Sequence, residues 1–244
     1  MRQYRYTVAV PYNQRIRSVY SSVRDINGII GFSTTRNLTK PSELFLKRMT
    51  DIILLLIAAV PTLLVTLIAA IAIKYSSPGP VFYGHKRVGK NGKEITVWKF
   101  RSMVTNSQEI LEKLLAEDPV RRAEWEKDRK FKDDPRITRI GKILRNTSLD
   151  ELPQLWNILK GDMSFVGPRP VTTPELEKYG KQAGFILSVK PGLSGMWQIS
   201  GRSETAYEER INLDTYYIQN WSIWLDLWII TKTVWVVIRG KGAY

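Results

Sequence analysis

From Ile52 to Ile73 the chain reads IILLLIAAVPTLLVTLIAAIAI, a run without a single charged side chain. As one straight helix it would be about 33 Å long, enough to cross the hydrocarbon layer of a bilayer. More than fifty residues precede it, so it lacks the position of a cleavable signal. A helix this apolar all round is not an ordinary soluble helix, and whatever folds beside it has a membrane for a neighbour.

The flanks restrict its path. Before the run stand Arg2, Arg5, Arg15, Arg17, Arg24, Arg36, Lys40, Lys47 and Arg48 against Asp25, Glu43 and Asp51, and Lys74, Lys86, Arg87, Lys90 and Lys93 follow it. Basic residues beside a membrane segment favour the cytoplasmic side, and here both ends make that claim. A segment that enters and turns back satisfies both, with Pro61 as the turning point because proline removes a helix hydrogen bond. The alternative is a kinked helix that crosses once, since proline is tolerated in such helices. Flank charge favours the re-entrant hairpin. At its mouth Lys47, Arg48 and Asp51 are expected to form a cap and headgroup anchor.

A second membrane signal lies near the end. In NWSIWLDLWIITKTVWVVI, the residues Trp221, Trp224, Trp228 and Trp235 share one helical face, with Lys232 and Arg239 close to it. Tryptophans with snorkelling cations mark a helix lying in the headgroup layer. A packed core stripe has the same period, and that reading stays open.

Composition narrows the chemistry. The formal net charge of +14, from 37 Lys and Arg against 23 Asp and Glu, seeks phosphates in nucleic acid, anionic lipid or nucleotide-linked substrates. With no cysteine and only His85 as histidine, thiolate nucleophiles, Cys/His zinc sites and disulfides are excluded. A resident metal would be a hard cation on oxygen ligands. His85, in GHKRVG, reads as a loop or phosphate-contact residue ahead of a general base.

Between the two membrane signals the pattern is that of a folded α+β part. Short apolar runs around Val81 and Val97 flank a Gly/Asn turn and predict a small β-hairpin. A helix starts at Asn106, with Glu109 at capping-box spacing, and Pro119 ends or restarts it. Residues 120–134 read as a solvated charged face. DDPRITRIGKILRNTSLDELPQLWNILKGD then gives a basic helix, a turn and a second helix up to Gly161. Residues 1–43 form a basic leader with no legible role.

Within that stretch the adjacent carboxylates Asp150 and Glu151 lie between Arg145 and Arg169. Ser148 and Glu151 have capping-box spacing, which gives the pair a purely local use. Pro153 fits a first helical turn and puts the helix start near Leu149 or Asp150, leaving Asp150 at the helix mouth. Helix amides and the two arginines would draw in a diphosphate there. Two carboxylates beside a phosphate site suit Mg2+ on Glu151 and Asp150, and a carboxylate can itself attack phosphorus. Lys99 and Arg101 in WKFRSM, and Arg202 in SGR, are further candidates for diphosphate or anionic lipid, with structural contacts the alternative for each.

The strings KRMTD, SSPGP, WKFRSM, DPRIT, TSLDELPQLWNILKGDMSFVGPRP, PGLSGMWQISGR and LDTYY occur in order from about Phe45 to the end. With them the chain resembles the bacterial sugar transferases, monotopic phosphoglycosyl transferases that begin exopolysaccharide and O-antigen assembly, and most of all the undecaprenyl-phosphate galactose or glucose phosphotransferases. The resemblance implies transfer of hexose-1-phosphate from a UDP-hexose to undecaprenyl phosphate, releasing UMP. It implies Asp150 as nucleophile, Glu151 assisting with Mg2+, Arg145 and Arg169 on phosphate, and a re-entrant helix broken at Pro61. Longer members carry transmembrane helices and a soluble domain ahead of the catalytic part, where a short basic leader is expected here.

The expected architecture is mainly helical α+β: a leader over 1–43, a re-entrant segment over 44–75, and a catalytic domain over 76–244 carrying a small β-hairpin and interfacial amphipathic helices. The expected place is the cytoplasmic face of a bacterial inner membrane, with UDP-hexose, undecaprenyl phosphate and the membrane as partners and a homodimer compatible with them. A nucleic-acid binder would use the same charge but leaves the apolar run unexplained. A single-pass scaffold of a polysaccharide complex explains the run but gives Asp150 and Glu151 only a capping role.

Overall fold

The apolar run lies inside one long helix, α1 (Pro41–Ser76), in the computed structural model, which describes residues 6–9, 21–26, 29–35, 37–128, 131, 133–200 and 206–238. Ahead of it β1 (Tyr6–Ala9), β2 (Ser21–Ile26) and β3 (Ile29–Thr35) form an antiparallel sheet in the order β1-β3-β2, within the stretch expected as a basic leader. Helix α1 passes through Pro61 without interruption. None of its residues from Ile52 to Ile68 is buried in protein, and the helix is long and apolar enough to enter a membrane. Its two ends are different: Asp51 is buried at one, Ala69 and Ile73 at the other.

After α1 the predicted hairpin is present as β4 (Phe82–Val88) paired with β5 (Glu94–Phe100). Its turn needs Asn91 and Gly92 at φ 58° and 79°, positions that asparagine and glycine occupy at low steric cost. The helices α2 (Ser107–Glu117) and α3 (Pro119–Asp128) follow, Pro119 both ending one and starting the next. Asn106 does precede α2, but its side chain makes no capping hydrogen bond. Then come α4 (Arg139–Asn146), capped by the Thr138 hydroxyl accepting from Gly141 N, and α5 (Gln154–Lys160), which ends before Gly161 at φ 84°. The rest is β6 (Ser164–Val166), α6 (Thr173–Glu177), α7 (Ala183–Ile186), β7 (Gly192–Ser194), α8 (Met196–Ser200), α9 (Tyr207–Asn220) and α10 (Ile223–Ile238). β6 and β7 run parallel, Ser164 opposite Gly192.

The chain divides into two compact units. The first takes the described residues up to 58, 86–97 and 154 onward. Its larger core gathers Val166, Tyr179, Ile186, Ile211, Tyr217, Ile218, Trp221 and Ile229, and a smaller one Ile95, Val97, Ile158 and Met163. Residues 59–85 and 98–153 make the second unit, built on Ala69, Ile73, Phe100 and Leu144.

The KRMTD string ties the start of α1 into the first unit. Lys47, expected at the membrane surface, is instead buried: its ammonium lies 2.6 Å from Asp226 and donates to the Tyr217 hydroxyl at 3.0 Å. Trp221 is likewise in the core at 1% exposure, its indole N–H donating to Asp226 at 3.0 Å. The reason is a break in the helix: α9 stops at Asn220 and α10 begins at Ile223, so Trp221 does not continue the face of Trp224, Trp228 and Trp235, which are exposed. Asp51 accepts from the Ser164 hydroxyl and the Phe165 amide.

A buried ion pair that loses one partner leaves an uncompensated charge, at a cost of about 3–5 kcal/mol. Lys47→Met is therefore expected to lower the thermal unfolding midpoint sharply, and the double variant Lys47→Met/Asp226→Leu to recover most of the loss. A single variant as stable as the parent would contradict this role for the pair.

Candidate active site

In the second unit, β5 delivers Lys99 to the two carboxylates. Its ammonium lies 2.6 Å from Glu151 Oε1 and 3.8 Å from Asp150 Oδ2. Both carboxylates sit in a 3-10 turn, Leu149–Glu151, ahead of α5 rather than in its first turn. Ser148 opens that turn at φ 57° and ψ 15°, with no side-chain capping bond, so the predicted capping box is not formed. The Glu151 side chain is engaged by Lys99 instead. A non-glycine residue in that left-handed region stores about 1–3 kcal/mol of strain, and here it lies two residues before Asp150. The amides of Glu151 and Leu152 donate to the Ser148 and Leu149 carbonyls, so they do not form the anion cradle expected at a helix mouth.

Arg145 reaches the pair from α4, where its charge lowers the Asp150 pKa. Its Nε donates to the Ser102 hydroxyl at 2.9 Å, and the Ser102 carbonyl accepts from Thr138 N at 3.0 Å. Gly141 has its α-carbon against that carbonyl, where a Cβ would collide. Ser102 thus clamps α4 at two points and fixes the arginine, a role that sequence reading missed because each of these partners is distant in the chain. Asp134 forms a buried pair with Arg136 at 2.7 Å, and the Arg136 guanidinium lies over Trp125 and Phe131.

Burial raises the Asp150 carboxyl above its ordinary range; Lys99 pulls it down, Glu151 pushes it up, and Arg145 pulls it down again. The Asp150 residue is 9% exposed, so its carboxyl is short of solvent. Among the described residues no group of three or more His, Cys, Asp or Glu could hold a metal. Asp150 and Glu151 are the donor type through which Mg2+ binds, one or two carboxylates with water and substrate phosphates completing the shell.

Other predicted site residues have different surroundings. Arg101 is buried with its guanidinium donating to the Pro78 and Ser77 carbonyls. Gly79, at φ 120°, lies so close to that guanidinium that a Cβ would collide with it. SSPGP and WKFRSM thus form one structural lock, and Arg101 is held there rather than presented to substrate. His85 stands in β4, 6.1 Å from the Tyr83 ring, and not in a loop. Arg169 belongs to the first unit, half-buried with its guanidinium 5.8 Å from the Trp197 ring centre, which Arg210 approaches at 4.7 Å. Asp214 in LDTYY is fully buried there, accepts from Tyr179, and is raised by burial to about 8. Arg202 lies outside the described residues.

A family profile described as bacterial sugar transferase matches residues 42–240. The chain belongs to that family. An undecaprenyl-phosphate galactose phosphotransferase of Salmonella typhimurium is 53% identical over 211 residues, covering 85% of this chain and 44% of its own length. A UDP-glucose:undecaprenyl-phosphate glucose-1-phosphate transferase of Klebsiella pneumoniae is 43% identical, covering 92% and 47%. The exopolysaccharide production protein ExoY of Sinorhizobium fredii is 44% identical over 81% of this chain and 88% of that protein. The chain therefore spans somewhat under half the length of the first two of these relatives and most of the third.

Because Lys99 lowers the Asp150 pKa, Lys99→Met is expected to move the carboxyl's titration further upward. Carbon NMR of labelled aspartate, with Asp150→Asn to assign the signal, reads it; an unmoved or lowered titration would contradict the placement of Lys99.

Proposed function

We propose that this chain transfers hexose-1-phosphate, with galactose or glucose as the hexose, from a UDP-sugar to undecaprenyl phosphate, releasing UMP, in the first membrane step of exopolysaccharide or O-antigen synthesis. The observation that carries it is the half-enclosed pair Asp150–Glu151 under the Lys99 ammonium, in a chain of the bacterial sugar transferase family. The named activities of the Salmonella and Klebsiella relatives supply the substrate class and leave the hexose open.

In this mechanism an Asp150 oxygen attacks the sugar-bearing phosphorus. A phosphorus–oxygen bond forms to the carboxylate, the pyrophosphate bond breaks, and UMP leaves with the bridging oxygen. An oxygen of undecaprenyl phosphate then attacks the same phosphorus, and the carboxylate departs unchanged. Two displacements replace one difficult reaction between two anions. Lys99 pulls the Asp150 carboxyl back toward its ionised form against the effect of burial, and Arg145 offers a fixed guanidinium for phosphate oxygens. Mg2+, held by Glu151 and Asp150, would neutralise phosphate oxygens so that one anion can approach another.

Both ends of α1 are assigned to the cytoplasmic side. Lys47 and Asp51 are held by residues between Ser164 and Asp226, and Ile73 packs with Phe100. From Ser77 to Ser222 the sequence has no second long apolar run to carry the chain across. A segment whose two ends rest on one side must enter and return, which supports a re-entrant path turning near Pro61. The exposed Trp224 and Trp228, the latter with Lys232 5.9 Å from its ring, support α10 as a helix in the headgroup layer. On this reading 44–75 is the membrane segment, 76–244 the catalytic part, and the location the inner face of the bacterial cytoplasmic membrane.

Detergent-solubilised protein given Mg2+, undecaprenyl phosphate and UDP-galactose or UDP-glucose in parallel is expected to release UMP with one of the two donors. Asp150→Asn is expected to lower turnover by at least 1,000-fold, on the order of other losses of an essential catalytic group. A fully active Asp150→Asn variant would overturn the nucleophile assignment.

A further inference from the structure

Where the first turns of α1 meet the end of α5, a group of cations stands that the proposed chemistry does not use. Arg48 donates to the Ile158 carbonyl at 2.6 Å and the Leu159 carbonyl at 2.7 Å, which closes α5 and uses two of the five guanidinium N–H groups. Gly161 follows at φ 84°, and a Cβ there would lie 3.3 Å from the Lys190 ammonium and 3.9 Å from the Arg48 guanidinium. Both cationic heads therefore stand over the same bare turn of backbone. Lys90 adds a third positive charge.

The neighbouring anions are already engaged. Asp51 accepts from Ser164 and Phe165, and Asp162 pairs with Lys160 at 3.1 Å. Lys190 makes no hydrogen bond or ion pair with the described residues. Burial, then the like charge of Arg48, hold its ammonium below the usual lysine range, although Asp51 and Asp162 pull the other way. Gathering cations in a half-buried place is costly unless an anion completes it. The same two helices indicate which anion: Phe45 and Met49 on α1 and Trp156 and Leu159 on α5 are large apolar side chains left exposed. Cations on elements that also expose large apolar side chains, at the start of an apolar helix, match the headgroup layer of a membrane.

We propose that Lys190 and Arg48, above the bare turn at Gly161, bind the phosphate of an anionic membrane lipid. The site serves to hold the mouth of α1 at the lipid surface, the task expected of Lys47, Arg48 and Asp51 together, with Lys190 in place of the buried Lys47 and Asp51. It rests on the membrane reading of α1 and is independent of the chemistry assigned to Asp150.

Phosphatidylglycerol titrated into the detergent-solubilised full chain is expected to raise the thermal unfolding midpoint to saturation, with phosphatidylcholine and inorganic phosphate far weaker. Lys190→Gln is expected to weaken that response about fivefold, as for loss of one cation near an anionic surface, and Lys113→Gln, on exposed α2, to leave it unchanged. An unaltered response in Lys190→Gln would overturn the proposal, as would inorganic phosphate matching the lipid. So would a raised KM for undecaprenyl phosphate in Lys190→Gln without added phosphatidylglycerol, which would give the site to the lipid substrate. Failure of the parent protein to incorporate into zwitterionic nanodiscs would remove the membrane reading and this proposal with it.

Discussion

A helix whose apolar side chains find no cover in its own protein must be fastened by its ends. At the first end of α1 the fastening is electrostatic: Lys47 enters a buried network of Asp226, Tyr217 and the Trp221 indole. Asp51, one turn on, holds β6 through Ser164 and Phe165. At the other end it is hydrophobic, with Ala69 and Ile73 buried against Phe100 and Leu144. Phe100 lies one residue from Lys99, and Leu144 one residue from Arg145. The core that receives the end of α1 is therefore built from the same short segments that carry the charges around Asp150.

That dependence explains the degree of order around two carboxylates that repel one another. Neighbouring negative charges away from water are tolerable only with cations placed beside them. Lys99 comes from a strand, and Arg145 from a helix whose position is set by Ser102 and Gly141. Arg101, immediately beside Ser102, closes the loop that follows α1. Strain at Ser148 adds a local feature that holds Asp150 in a turn instead of a regular helix.

Local signals were legible, and partnerships across the chain were not. The β4–β5 hairpin, the restart at Pro119 and the end of α5 at Gly161 all follow from turn and helix-boundary chemistry within a few residues, while α2 starts after Asn106 without the capping bond its spacing suggested. Asp150 and Glu151 stood out because adjacent acids in a basic sequence invite a reason. Lys47 was misread because a lysine before an apolar run usually marks a membrane surface, while its partner Asp226 lies 179 residues further on. Trp221 was misread because a 3.6-residue period says nothing about where one helix stops and another begins. The strands ahead of α1 had a usable signal in the Asn27–Gly28 dipeptide between two β-prone runs, a common hairpin turn. The capping box at Thr172 and Glu175 was equally readable. Ser102 had no such signal, since its role exists only once α4 is packed beside it.

The central claim is that the Asp150 carboxylate carries the glycosyl phosphate between donor and lipid. Its most direct test is mass spectrometry of protein quenched after mixing with UDP-sugar and Mg2+ in the absence of lipid acceptor. The account predicts an added hexose phosphate mapping to the peptide that contains Asp150, lost on adding undecaprenyl phosphate. Unmodified protein under conditions where UMP is released in step with product, or modification at another residue, would contradict it.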